Sequence, residues 1–229
     1  MGIYRENSLN NTAVNKSRTR ELKQTSDGSF TLFIPEVEET YHSTHGAQQE
    51  SMHVFIENGL KASSKNEIRI LEVGLGTGLN ASLTLQHATK KIHYCALEPY
   101  PLSKELLNEL ASVGTHFFEM KFHESSSGEE VVLSDDFSFV RMEVGLEEFH
   151  SLEKFDLIYY DAFGPRVEPG LWTFERMLQC YELLNEGGIF VTYCAKGEVR
   201  RNLQSAGFVV ERLAGPPGKR EMLRGVKPL

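Results

Sequence analysis

Ile68-Arg69-Ile70-Leu71-Glu72-Val73-Gly74-Leu75-Gly76-Thr77-Gly78-Leu79-Asn80 is the stretch around which the rest of this chain is arranged. An apolar run (Ile68, Ile70, Leu71, Val73) meets three glycines at alternate positions, after which Leu79, Leu83 and Leu85 begin a helical pattern. The pattern predicts a buried parallel strand, a tight turn and a helix N-terminus. Glycine suits such a turn because its backbone reaches φ values that other residues resist, and because a ligand can approach it closely. Bare N–H groups at the helix start then favour an anionic or carboxylate-bearing ligand. A plain strand-to-helix connection also uses glycines, so the turn alone selects no ligand.

Outward from that turn, strand and helix patterns alternate. Strands are predicted at Ile68–Val73, Ile92–Leu97, Phe137–Met142, Phe155–Tyr160, Gly188–Tyr193, Phe208–Leu213 and Glu221–Val226. Helices are predicted at Thr77–Ala88, Pro101–Val113, Leu171–Leu184 (stopped by Asn185-Glu186-Gly187-Gly188) and Glu198–Ala206. Such alternation implies right-handed crossovers and a mostly parallel sheet covered on both faces. The last two strands are separated only by Gly215-Pro216-Pro217-Gly218, too short for a parallel crossover, so they should run antiparallel. The expected fold is therefore α/β, a Rossmann-like seven-stranded sheet with an antiparallel C-terminal strand. Before it, residues 1–25 are polar, without periodicity, and expected to be poorly ordered. Residues 26–66 form a small extension: a turn at Asp27-Gly28-Ser29, a strand at Phe30–Ile34 and a helix at His45–Ala62. Residues 67–229 form the main domain. Residues 114–136 are expected to be a loop with one short strand near Glu130–Leu133.

Composition excludes several classes. With 40% hydrophobic and 24% charged residues the chain resembles an ordinary globular protein. No apolar run approaches the ~18 residues of a membrane span, and the N-terminus lacks an apolar signal core. Cys95, Cys180 and Cys194 form no CxxC pair and fit reduced, buried thiols, hence a cytoplasmic protein. His42 and His45 have no Cys or carboxylate cluster to complete a metal site, so no metal is expected; His42 and Ser43 are better placed to close a cofactor pocket. The net charge of −8 argues against broad nucleic-acid affinity, yet from Lys196 onward eight basic residues face three acidic ones. That basic pole can meet phosphate or simply be solvated.

The residues that carry chemistry sit at predicted strand ends. The glycine spacing is G-x-G-x-G with Glu72 two residues ahead, not the G-x-G-x-x-G of dinucleotide folds. It resembles the first motif of class I S-adenosylmethionine methyltransferases, whose sheets also end in an antiparallel strand. Glu98, followed by Pro99, ends the second strand, where a carboxylate accepts ribose hydroxyls; NAD and S-adenosylmethionine both present these, and an exposed surface Glu is the plain alternative. Met142-Glu143-Val144-Gly145 is too blurred to supply an adenine contact. Asp161 ends the fourth strand, facing the crevice where open α/β sheets bind ligands, with Phe163 and Pro165 as an apolar wall. A carboxylate there can orient an amine and take its proton; the alternative is a loop or capping Asp.

A more specific resemblance covers residues 27 to 225. Asp27-Gly28-Ser29, Tyr41-His42-Ser43, Gly46-Ala47-x-x-Glu50 and Val54-Phe55-Ile56 precede Leu71–Asn80 with its Leu-Asn after the third glycine. Asp161-Ala162-Phe163-x-Pro165, Pro169-x-Leu171-Trp172-Thr173, Gly197-x-Val199-Arg200-Arg201 and Gly218-Lys219-Arg220-Glu221-Met222-Leu223 follow. Together they resemble the MnmD/MnmC-type tRNA methyltransferases. The resemblance implies N-methylation of the 5-aminomethyl group of wobble (2-thio)uridine, with S-adenosyl-L-methionine as donor and the tRNA anticodon loop as partner. It implies a donor site at Glu72, Gly74, Gly76, Thr77, Gly78, Asn80, Glu98 and Pro99, with Asp161 as the catalytic carboxylate. Phe163, Trp172 and Tyr193 are candidates to stack a splayed base, although each aromatic also suits a core. Arg200, Arg201, Lys219 and Arg220 are candidates for phosphate contact. Bifunctional members continue into a flavin oxidase; this sequence ends at Leu229, so a stand-alone methyltransferase is expected. Gly164 stands where serine or alanine is commoner. The alternatives are a spermidine-synthase-like aminopropyltransferase, whose Gly-Gly-Asp-Gly loop is missing here, and a non-catalytic cofactor-binding module.

Overall fold

The computed structural model describes residues 19–113 and 120–229. Residues 1–18, most of the segment expected to be poorly ordered, and residues 114–119 of the expected loop lie outside the described residues. The chain opens with a small antiparallel sheet of β1 (Glu21–Gln24), β2 (Phe30–Ile34) and β3 (Glu39–Thr40). A short helix α1 (Ala47–Ser51) then runs into a π-turn at Met52–Glu57 and a 3-10 turn at Leu60–Ala62. The main body follows as β4 (Glu67–Val73), α2 (Leu79–His87), β5 (Lys91–Leu97), α3 (Lys104–Ser112), α4 (Lys121–Glu124), β6 (Glu130–Ser134), β7 (Phe137–Met142) and β8 (Phe155–Tyr160). It closes with α5 (Phe174–Leu183), β9 (Leu184–Thr192), α6 (Gly197–Ala206), β10 (Val209–Ala214) and β11 (Glu221–Val226).

The large sheet has the order β10-β11-β9-β8-β4-β5-β7-β6. Strands β4, β5, β7, β8 and β9 pair in parallel, whereas β11 lies antiparallel between β9 and β10. Strand order reverses at β4, whose neighbours are β5 on one side and β8 on the other, and a crevice opens at such a point beyond the strands' carboxyl ends. Both faces of the sheet are covered. Along β4, Leu71 and Val73 enter the core beneath α5 and α6, while Ile68 and Ile70 enter the opposite core with Val54, Phe55 and Leu83. All six residues of β8 are buried, as a central parallel strand requires.

Among the described residues the sheet has eight strands rather than seven, because the short strand near residue 130 joins as an antiparallel edge on β7. Residues 21–24, read as poorly ordered, form β1; Leu22 packs with the Leu32 and Leu106 cluster, which supplies the burial a polar segment otherwise lacks. Part of the expected loop before β6 is helix α4, pinned by the fully buried Phe122. The expected helix at 45–62 widens instead: the Asn58 N–H bonds back five residues to the His53 carbonyl (3.3 Å). Asn185–Gly188, expected to be a helix stop leading into a strand that starts at Gly188, is a bulge within β9, which already begins at Leu184. There β9 advances from Leu184 to Ile189 while β8 advances only from Phe155 to Leu157.

Asp156 ties the far ends of these strands together. It accepts from the Arg69 N–H (2.9 Å), the Asn185 amide (2.8 Å) and the Lys65 ammonium. Burial pushes its carboxyl up, but those bonds outweigh it and hold the group below the usual value. A depressed folded value stabilises above the ordinary carboxylate range and is lost as pH falls through the folded value. Asp156→Ala should cost about 2–4 kcal/mol by stranding the Arg69 N–H and the Asn185 amide, and should flatten the acid side of a urea-midpoint profile.

Candidate active site

A cavity of about 590 Å³ opens at the carboxyl ends of β4, β5 and β8. Its floor is the glycine turn. Gly74 N–H and Leu75 N–H both donate to the Leu97 carbonyl (3.1 and 3.2 Å), locking the turn to the end of β5. Gly74 adopts φ +94°, and a Cβ there would stand 2.8 Å from the Asp161 carbonyl oxygen. Glu98 reaches back under the turn and accepts from Gly76 N–H (2.9 Å) and Tyr100 N–H (3.0 Å). Burial raises its carboxyl above the ordinary value, while these two N–H groups pull it back.

Asp161 forms the adjoining wall. Its N–H continues the β4–β8 ladder to the Val73 carbonyl (3.0 Å), so its side chain emerges beside the turn. Asn80, in the first turn of α2, donates its amide both to Asp161 Oδ2 (2.8 Å) and to Glu72 Oε1 (2.9 Å). Burial, and then the Glu50 carboxylate, push Asp161 up to about 7, with the Asn80 amide and Lys219 opposing. Glu72 is wholly enclosed, and burial raises its carboxyl well above the ordinary value, which favours the neutral form.

The roof comes from the small N-terminal sheet. Tyr41 packs edge-on against Phe163 with ring centres 5.1 Å apart, and its hydroxyl accepts from Arg20 Nε (2.8 Å). Trp172 Nε1 donates to the Phe163 carbonyl (2.7 Å) and Tyr193 hydroxyl to the Ala162 carbonyl (2.9 Å), fixing the segment after Asp161 from two sides. Glutamates 39, 143, 147, 148, 168 and 175 give the cavity an acidic lining.

Residues 102–228 match the S-adenosyl-L-methionine-dependent methyltransferase family. The chain belongs to this family. The methyltransferase is also 29% identical to the tRNA 5-methylaminomethyl-2-thiouridine biosynthesis bifunctional protein MnmC of Pseudoalteromonas atlantica, over 91% of this chain and 34% of that protein. It thus spans about a third of the length of the curated relatives it matches. The crystal structure of MnmC2 from Aquifex aeolicus is 25% identical, superposes with a TM-score of 0.72, and covers 94% of this chain and 74% of that one. A spermidine synthase bound to a transition-state analogue shares the fold alone, at 14% identity and a TM-score of 0.58 over 93% of this chain and 70% of that one.

The residues fit S-adenosyl-L-methionine. The cavity has the size of a nucleoside-type site, and the glycine cradle admits no side chain. Glu98 keeps lone pairs for ribose hydroxyls beyond its two backbone bonds. Of the donor-site residues expected from sequence, Gly74, Gly76, Glu98 and Pro99 line the cavity. Glu72, Thr77, Gly78 and Asn80 lie behind it: Asn80 bridges the two acids, Thr77 holds His42, and His123 covers Gly78. They shape the site without lining it.

On the acceptor side, Asp161, Phe163 and Tyr193 line the cavity, whereas Pro165 and Trp172 do not. Trp172 is 3% exposed and edge-on to Tyr160, so it buttresses Phe163 and is no stacking platform. Arg201 and Arg220 are exposed; Arg200 is half-buried, and Lys219 is ion-paired with Glu50. Sequence reasoning gave no role to Arg20, Tyr41 or Glu50. Tyr41 and Glu50 lay in quoted motifs without a chemical reason, and Arg20 in a polar stretch without periodicity. Of the two residues expected to close the pocket, His42 lines the cavity, with Nε2 2.9 Å from Thr77 Oγ1, and Ser43 does not.

Burial, reinforced by Lys219, pushes His42 down to about 4. A lowered folded value means the unfolded chain gains a proton first. Stability should therefore fall as pH drops from about 6.5 toward 4, at a limiting slope near 1.4 kcal/mol per pH unit for this group. Urea midpoints across that range should fall less steeply in His42→Gln than in the parent.

Proposed function

We propose that this methyltransferase transfers a methyl group to the amine of 5-aminomethyl-(2-thio)uridine at the wobble position of tRNA, giving 5-methylaminomethyl-(2-thio)uridine. The observation that carries the reading is Asp161, a half-buried carboxylate held by Asn80 on the same cavity as the glycine turn and Glu98. The likeness to MnmC along 91% of the chain supplies the acceptor's identity. S-adenosyl-L-methionine, when bound, supplies a methyl group on a sulfonium whose sulfur keeps the bonding electron pair as the methyl leaves.

The chain's own residues then have defined tasks. An alkylamine is mostly protonated at neutral pH and has no free lone pair. Asp161 attracts the ammonium, orients its nitrogen toward the donor and takes its proton. With Asp161 near 7, the carboxylate form that does this grows as pH rises through neutrality, so the transfer rate should climb over the same range. Glu98 holds the ribose, Gly74, Gly76 and Pro99 shape the donor pocket, and the Tyr41–Phe163 contact shuts water out. Much of the remaining rate comes from holding two reactants together. Phe163 and Tyr193 flank the entering base, and Arg201 and Arg220 meet anticodon-loop phosphates. Residues 67–229 carry the donor site and residues 26–66 its roof. The protein works in the cytoplasm; among the described residues no helix is long and apolar enough to cross a membrane.

One observation favours a second reading. The acidic cavity lining, on a fold shared with spermidine synthase, suits a polyamine. Tritium-methyl transfer to tRNA bearing 5-aminomethyl-uridine, run beside decarboxylated donor with putrescine, separates the two. Aminopropyl transfer in place of methyl transfer would overturn the tRNA reading. A strain lacking the gene should accumulate 5-aminomethyl-uridines in its tRNA.

A further inference from the structure

Glu50 on α1 and Lys219 in the β10–β11 turn come from distant parts of the chain and meet at the Tyr193 ring. The Lys219 ammonium is ion-paired with Glu50 Oε2, and their side chains are 32% and 10% exposed. The same ammonium lies 3.9 Å from the centre of the Tyr193 ring, whose hydroxyl holds the carbonyl of Ala162, the residue after Asp161. Two further contacts seat the hairpin on this segment. His53 Nε2 donates to the Ala214 carbonyl (2.7 Å), and the His45 ring packs where a Cβ on Gly218 would stand, 2.7 Å away. Glu50 and Lys219 do not line the cavity, so any effect they have on the reaction passes through Tyr193 and Asp161. As a stabilising device the pair is poor, since a largely buried ion pair gains little over apolar packing.

The groups facing Asp161 are Asn80 from α2, Glu72 from β4, Tyr94 from β5, Tyr193 after β9, Glu50 and Lys219. Asn80 carries no charge. Burial raises Glu72 and both tyrosine hydroxyls well above their ordinary values, which favours the neutral form of all three. Glu50 and Lys219 are the charged groups that remain among them. The first raises and the second lowers the proton affinity of Asp161.

We propose that Glu50 and Lys219 are positioning residues for Asp161, an opposed pair of charges set against the Tyr193 ring that tunes the proton affinity of this carboxylate. The proposal rests on Asp161 acting as the amine's proton acceptor. It places the tip of the last hairpin, which also carries Arg220, in control of the reacting carboxylate, so a phosphate that draws Lys219 away would raise the proton affinity of Asp161.

The test titrates the Asp161 carboxyl carbon by NMR in protein labelled with ¹³C-aspartate, where only five aspartates give signals and Asp161→Asn identifies the one of interest. Lys219→Met should move its midpoint up and Glu50→Gln should move it down, each by about one unit. The double variant should return close to the parent, and Lys219→Arg should match it. Opposite shifts of this kind do not follow from a structural role. Midpoints that stay fixed, or that move the same way in both single variants, would overturn the pairing. Glu50→Gln leaves no unpaired buried charge, because the partly exposed Lys219 can hydrate, so it serves if Lys219→Met does not fold. The titration needs no acceptor. An unmoved midpoint in an enzyme that methylates aminomethyl-uridine tRNA defeats the pair alone; shifted midpoints without that methylation defeat the acceptor assignment alone.

Discussion

Asp161→Asn is expected to slow single-turnover methyl transfer by about 10²–10⁴-fold, the range associated with losing a positioned proton acceptor. Donor affinity should change little. The asparagine keeps the side chain's shape and retains an oxygen for the Asn80 amide, which sits 2.8 Å from Oδ2 in the parent. It cannot take a proton from an ammonium or attract its charge. The residual rate should also lose its rise through neutral pH, because the group placed at about 7 is gone. Isothermal titration with S-adenosyl-L-methionine, beside quench-flow rates at several pH values, checks both halves. A variant as fast as the parent would remove Asp161 from the chemistry. A variant that no longer binds the donor would make Asp161 part of the donor site.

Gly74→Ala should act on the other reactant. At φ +94° an alanine is strained, and its Cβ would stand 2.8 Å from the Asp161 carbonyl oxygen and 3.3 Å from its carbon, both backbone atoms that cannot swing aside. Strain of this kind costs about 1–3 kcal/mol. To relieve it the β4 turn must part from the end of β8, which separates the glycine cradle from the Asp161 carboxylate. Donor affinity should fall about tenfold or more, the equivalent of 1.4 kcal/mol or above, along with a lower urea midpoint. Gly164→Ala is the control. A Cβ there meets only the Tyr193 hydroxyl at 3.7 Å, an ordinary contact, so binding and stability should hold.

The parts of this fold that were legible in sequence are those where one local signal sufficed. Apolar runs bounded by turns marked the central strands because a parallel strand buried on both faces has no other composition to use. The short Gly215–Gly218 link required an antiparallel final pair, and β10 and β11 pair so along their whole length. What escaped depended on partners distant in the chain. Leu22 is ordered by Leu32 and the α3 leucines, so β1 had no signal of its own. Trp172, expected at the start of a helix and open to either a stacking or a core role, is core because Tyr160 and Phe163 enclose it. The glycine motif announced a ligand turn, yet of Gly74–Gly78 it is Gly74, Leu75 and Gly76 that face the cavity, since Thr77 and Gly78 turn toward His42 and His123. Glu50 was the least visible, because its meaning comes from Lys219, which lies 169 residues further on.

The most direct test of the central claim is mass spectrometry of the wobble nucleoside in tRNA that carries 5-aminomethyl-2-thiouridine, after incubation with the purified protein and S-adenosyl-L-methionine bearing a ¹³C-methyl group. The account predicts conversion to 5-methylaminomethyl-2-thiouridine with the label on the amine nitrogen, and next to none with Asp161→Asn. Recovery of the aminomethyl nucleoside unchanged, or label on any other atom, would contradict it.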